Sequence, residues 1–352
     1  DHGAYLDNRG ATLAKAVSIT DSTFNYNATW DHTSGPDDQN GLKVLSKGAI
    51  TVKNLTAVGN GNLDLDSNDG GAWLDNTAGV AGITLLGTNV VSENEWGLGI
   101  FTNGAVKVNN LVANSNCCGS GVYVDNSGGT APVTFTGFVQ AKFNGSRGMY
   151  ITSNGLVTLS NVTANNNGGA CLECGGLWID NSGGTLGVTL LGVNTFRDNG
   201  QRGLYINTKG AVTLNNITAD GNGYNVGTSD GWGVYIDNSG GALKPVSIKG
   251  VNHFGWNYWG GLRVISQGAI TLNSILADGN QNAEGVYLDN TASTNATPQN
   301  VTLTGLLNGF YNNAGGGLKI RTYGAVLANN VDVSNYGGGG NGVDVDNYNG
   351  GV

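Results

Sequence analysis

The chain has 352 residues, of which 61 are Gly and 12% are charged, and its formal net charge is −9. An acidic chain sparse in Lys and Arg matches neither nucleic acid nor an anionic membrane surface, so neither is expected as a partner. No apolar run reaches about 18 residues, so no membrane-spanning helix is expected. The Gly content alone would suit a disordered chain, but apolar residues alternate regularly, which disordered segments lack. Residue 1 is Asp and no signal peptide is visible, so the chain reads as a processed or excised segment.

The first element is the phrase Gly3-Ala4-Tyr5-Leu6-Asp7-Asn8. Variants return at Gly71, Gly121, Gly176, Gly233, Gly285 and Gly342. Between them runs a second phrase, first seen as GLKVLSKGAITVKN from Gly41 and again from Gly97, Gly148, Gly203, Gly261 and Gly317. Successive starts lie from 24 residues (Gly97 to Gly121) to 38 residues (Gly3 to Gly41) apart. After each starting Gly, apolar residues occupy alternate positions, as in Val122 and Val124 or Leu204 and Ile206, which predicts a strand with one buried face. A Gly- or Asn-containing turn follows, then a second alternating strand such as Ile50 and Val52. A short third strand carries Leu55 and Ala57 or Ile217 and Ala219. Helical periodicity is absent. Three short strands per coil, repeating in pairs of coils of about 55 residues, make a solenoid of about 12 to 13 coils. One solenoid domain over residues 1–352 is expected, either whole or as a segment of a longer rod.

Two alternating phrases and this coil length resemble the right-handed parallel β-helix family. Its members include pectate-lyase-like enzymes and bacterial surface or adhesin-like proteins. The resemblance covers essentially the whole chain and implies an all-β right-handed parallel β-helix. It leaves function open, because the architecture hosts both enzymes and structural proteins.

Several columns follow from the register. Asn94, Asn144, Asn199, Asn257 and Asn313 precede the second phrase, and Asn60, Asn116, Asn167, Asn222 and Asn280 precede the first, so each series is expected to form an inner amide ladder. Outward, Tyr5, Trp73, Tyr123, Trp178, Tyr235 and Tyr287 align, with Lys43, Gly99, Tyr150, Tyr205, Arg263 and Lys319 between them. This column suits cross-strand and cation–π packing, lateral assembly or stacking on sugars. The Asp column (Asp7, Asp75, Asp125, Asp180, Asp237, Asp289, Asp346) suits turn chemistry, with each carboxylate accepting backbone N–H groups. A hydroxyl column from Ser18 through Thr51 and Thr84 to Thr302 admits ice binding, but Lys53 and Leu86 break the flat lattice beside it.

Other features break the repeat. Cys117 and Cys118 share one loop, and Cys171 and Cys174 share the equivalent loop one repeat later. All four are disulfide candidates, which would imply an oxidising compartment; free thiols and a metal site using all four are the alternatives. Asp64, Asp66, Asn68 and Asp69 are spaced as in a calcium loop, without its usual Gly and distal Glu, so calcium is the one candidate cofactor. The insertion from Phe24 carries His32, Asp37 and Asp38, and His253 opens an aromatic stretch, HFGWNYWGG. No unrepeated set of acids with a basic partner is found, and no catalytic residue is assigned.

The functional expectation is an extracellular or cell-surface structural protein. It self-associates end to end through uncapped coils as a filament subunit, with polysaccharide as a further partner through adhesion. The alternatives are a polysaccharide lyase or glycoside hydrolase, a glycan-binding adhesin, and an ice-binding protein.

Overall fold

The structure, a computed structural model, describes residues 2–27, 39–61, 69–169, 174–223, 230–294, 296–334 and 339–348. The chain forms two compact units, Asp1–Cys174 and Gly175–Val352. Both are built only of short parallel strands; among the described residues there is no helix. The fold is an all-β, right-handed parallel β-helix of about 11 turns. This is slightly fewer than the recurring phrases suggest. The third wall of the first coil is a single bridge, Thr23 to Thr56, and Val343–Asn347 is followed by no further strand among the described residues.

In the first unit, the phrase strands Ala4–Asp7, Leu42–Leu45, Gly70–Asp75, Trp96–Phe101, Val122–Asn126 and Met149–Ser153 pair in that order to form one wall. In the second, Leu177–Asn181, Leu204–Thr208, Val234–Asn238, Leu262–Ser266, Val286–Asp289, Leu318–Thr322 and Val343–Asn347 do the same. The predicted second and third strands form the other two walls of each unit. Burial follows the alternation: Val122 and Val124 are fully buried while Tyr123 between them is half-buried on the outside.

The two predicted Asn series are one column in each unit. In the first, the amide Nδ2 of Asn60 donates to Oδ1 of Asn94 (2.9 Å), Asn94 to Asn116 (3.3 Å), Asn116 to Asn144 (2.8 Å) and Asn144 to Asn167 (2.9 Å). The backbone N–H of each donor residue goes to the same oxygen. The second Nδ2 hydrogen reaches a main-chain carbonyl, Ala57 for Asn94 and Ala113 for Asn144. In the second unit Asn199, Asn222, Asn257, Asn280 and Asn313 repeat the pattern at 2.7–3.0 Å. Asn94, Asn144, Asn222, Asn257 and Asn280 thus have both amide hydrogens and the amide oxygen used, which makes a buried polar column tolerable inside an apolar core.

A corner explains why the repeat spans two coils. Asn54, Asn110 and Asn216 turn the chain at φ of 52°, 44° and 45°, a left-handed conformation that Asn adopts more readily than most residues. Their amides lie against Gly87, Gly137 and Gly250 of the next coil, where a Cβ would fall about 2 Å from the amide oxygen. Asn in one coil therefore requires Gly in the next. Inside the second unit the same alternation appears as size, with Phe254 against Ala277 and Ala277 against Phe310, all fully buried.

The Asp column closes turns. Oδ1 of Asp125, Asp180, Asp237 and Asp289 accepts both the backbone N–H (2.9–3.0 Å) and the hydroxyl (2.6 Å) of the residue two further on. Replacing Asn144 by Leu strands donors on Asn116 and acceptors on Asn167 and Ala113, so it is expected to cost about 3 kcal/mol or more. Asn154→Ala, which loses one exposed amide bond to the Ser127 carbonyl, is expected to cost about 1 kcal/mol or less. Urea unfolding of the two variants measures the difference.

Candidate functional site

The outward column of the phrase wall is mostly a packed ladder of rings and cations. In the first unit, Trp73 stacks on Phe101 with centroids 4.2 Å apart and planes 25° from parallel. Phe101 meets Tyr123 at 5.5 Å, Tyr123 meets Tyr150 at 5.3 Å, and Arg147 lies over Tyr150 at 4.7 Å. Burial raises the Tyr123 hydroxyl above its ordinary pKa, so it stays a neutral phenol. Tyr5 sits apart, half exposed, stacked on His2. In the second unit, Arg202 lies over Trp178, Tyr205 and Tyr235, and Arg263 over Trp232, Tyr235 and Tyr287. Arg321 joins the Tyr287 hydroxyl and Asp289. Cross-strand packing is thus what the column does along most of its length.

The ladder opens at one place. Where a bulky side chain recurs in neighbouring coils, the strand Trp96–Phe101 has Gly99, aligned with Trp73 on one side and Tyr123 on the other. The same strand carries Phe101 where its neighbours carry Asp75 and Asp125. Phe101 swings toward Gly99, so a Cβ there would lie 3.1 Å from the Phe101 ring and 3.4 Å from Trp73. The gap is a groove of about 300 Å³ lined by Trp73, Trp96, Phe101 and Tyr123 over Gly70, Ala72, Gly97 and Gly99, with Asn40 among its lining residues. Trp96 is seated by Gly119, whose missing Cβ would overlap the indole, and the Cys117–Gly119 turn is tied by N–H bonds to the Asn94 and Glu95 carbonyls. Among the described residues no charged one lines the groove. Asn40 is 1% exposed, and neither its Oδ1 nor its Nδ2 has a hydrogen-bond partner.

The expected ligand column therefore divides. Trp73 and Tyr123 line the groove; Trp178 and Tyr235 are packed beneath arginines; Tyr287 contributes to a second depression of about 310 Å³ with Trp232, Trp259 and Arg263. Trp96 and Asn40 were not apparent from the repeat. Gly99, a departure from the bulky outward column, was its only sequence signal.

Of the calcium candidates, Asp64, Asp66 and Asn68 lie outside the described residues. Asp69 is fully buried, and its Oδ1 accepts the Gln39 N–H. Among the described residues no group of three or more His, Cys, Asp or Glu could hold a metal. Cys117 and Cys118 are free thiols, which corrects their assignment as disulfide candidates. Adjacent Cα atoms are about 3.8 Å apart, closer than a disulfide ordinarily spans. Cys174 is disulfide-bonded, and Cys171 lies outside the described residues.

A further correction concerns the acids. On the third wall of the second unit, His253 bridges two carboxylates, Nδ1 to Asp220 at 3.1 Å and Nε2 to Asp278 at 2.6 Å, and Arg197 pairs with Asp220 at 3.2 Å. This is an unrepeated acid–base group, assembled from separate coils, with the imidazole lying across Gly255. Hydrogen bonds to Asp220 and then Asp278 raise the His253 pKa to about 9. An imidazolium donating from both nitrogens joins the coils as an ion-pair chain.

No family model, no curated protein and no solved structure matches this chain.

Because the folded pKa of His253 lies above its unfolded value, the stabilisation is fully present below about pH 6.5 and is lost as pH rises through about 9. After discounting for partial exposure, it is worth about 1–2 kcal/mol. His253→Gln is expected to lower the unfolding free energy by that amount at pH 6 and by much less at pH 9.5, read from urea unfolding at both values.

Proposed function

We propose that the protein is a non-catalytic, extracellular or cell-surface β-solenoid that binds carbohydrate through the groove in its aromatic wall. The observation that carries this reading is the groove at Gly99, where Trp73 and Phe101 form a near-parallel pair beside Trp96 and Tyr123 around about 300 Å³. Flat rings match the apolar C–H faces of sugar rings. A mostly apolar cavity with a few polar groups is what a small-ligand site requires. The disulfide at Cys174 supports an oxidising, extracytoplasmic location. Trp73→Ala removes one wall of the groove and is expected to weaken retention on immobilised or gel-embedded polysaccharides by at least tenfold. Trp256→Ala, at a ring 58% exposed on another wall, is expected to leave it unchanged. Equal retention of the native protein and Trp73→Ala would overturn the reading.

A second reading, self-association through coil edges, has one specific support. Among the described residues the strands Ala4–Asp7 and Val343–Asn347 pair on one side only, and Leu6, Val343 and Val345 on them are 40–44% exposed. Edges of this kind recruit further strands. Sedimentation coefficients that rise with concentration, and fall back when Val343 is changed to Lys, are its expected signature.

A further inference from the structure

Resting on the carbohydrate-binding reading, we infer that the groove of the first unit selects a neutral sugar presenting two adjacent free hydroxyls, and that Asn40 reads them. Asn40 lines the groove, is 1% exposed, and has both an unused donor and an unused acceptor on a single amide. Buried polar atoms are nearly always paired, so leaving both ends of one amide unpaired needs a reason beyond folding. The fully paired asparagines of the inner column show what the same side chain does when its role is structural.

The two ends of the amide face a ligand with opposite demands. Nδ2 needs an acceptor and Oδ1 needs a donor, close together. A vicinal diol meets both: one hydroxyl accepts from Nδ2 while its neighbour donates to Oδ1. A single hydroxyl can bridge both ends only through bent, weaker hydrogen bonds. A carboxylate accepts but cannot donate, so it leaves Oδ1 unmet. It would also find no cation among the described residues of the lining. Nearby, the buried Oδ2 of Asp69 has no partner; Asp69 directly precedes Gly70, whose Cβ position lies 3.4 Å from Asn40 Oδ1. An additional negative charge would be placed beside these oxygens with nothing to compensate it. Trp73, Trp96, Phe101 and Tyr123 then supply stacking and Asn40 supplies selection. Pockets built to hydrogen-bond a hydroxyl reject ligands lacking it far more strongly than apolar pockets reject a change of shape.

Hexasaccharides test this on the native chain. A β-1,4-linked glucohexaose carries free O2 and O3 on every ring. In the β-1,3-linked glucohexaose O3 is substituted on all but the terminal ring, so internal rings have no adjacent pair. A β-1,4-linked mannohexaose keeps the pair in another configuration, and an α-1,4-linked hexagalacturonate keeps the pair but adds carboxylates. By calorimetry, at least one of the two neutral β-1,4 hexaoses is expected to bind at least tenfold more tightly than both the β-1,3 hexaose and the hexagalacturonate. Asn40→Ala, which adds no volume to a buried site, is expected to lose that preference and at least tenfold in affinity with no fall in Tm, because it deletes unpaired polar atoms. A fall in Tm with unchanged affinity would mark Asn40 as structural and overturn the inference. Equal binding of the β-1,3 and β-1,4 glucans, abolished by Trp73→Ala, would overturn the diol inference and leave the carbohydrate reading standing. Failure of all four hexaoses to bind would overturn both.

Discussion

The rest of the structure depends on the side-chain amide that bridges one coil to the next. A parallel solenoid has few means of fixing its register, because every coil presents the same backbone edge to its neighbour. In both units a buried Asn in each successive coil donates to the next, with main-chain N–H groups sharing the acceptor. The starting Gly of each phrase follows from this, since at Gly121 and Gly233 a Cβ would fall 2.6 Å and 2.7 Å from a ladder amide. A slip of one residue would remove the amide from its partner and turn the apolar face outward, so the column and the core specify the same register. Coils stacked by such a column can vary their outer positions freely. The hydroxyl column, the aromatic wall and the His253 chain are all written on the faces that the column leaves unconstrained.

Much of this was legible before any coordinates. Alternation around Val122 and Val124 placed the core, and Asp–Asn recurring after it marked a corner. What remained hidden has a common physical cause. The two Asn series looked separate because they precede different phrases, yet stacking interleaves them, so Asn116 lies between Asn94 and Asn144. The Asp220, His253 and Asp278 group was missed because its members lie in separate coils and meet only when the imidazole leans over Gly255. Asn40 and Trp96 stand just before or at the start of phrase strands, where no periodicity announces a ligand role. In the groove itself the visible clue was negative: Gly99 is where the pattern fails.

That failure is informative because the pattern is otherwise strict. A ring or long side chain at the Gly99 position would extend the ladder from Trp73 to Tyr123. In its absence Phe101 leans toward Gly99 between Trp73 and Tyr123, and the groove forms beside it. Structural positions repeat from coil to coil, while the groove occurs where Gly99 interrupts the bulky outward column. In the second unit Arg202 and Arg263 each lie over three rings of the same wall.

The most direct measurement is therefore to restore the repeat. Gly99→Tyr places a ring where neighbouring coils have one, at the cost of shifting Phe101, whose ring would stand 3.1 Å from the new Cβ. If the open ladder is the binding site, this variant unfolds cooperatively near the native Tm and no longer binds any polysaccharide that the native protein retains. A folded Gly99→Tyr protein that binds as tightly as the native one would show that the groove is a gap in packing with no ligand of its own.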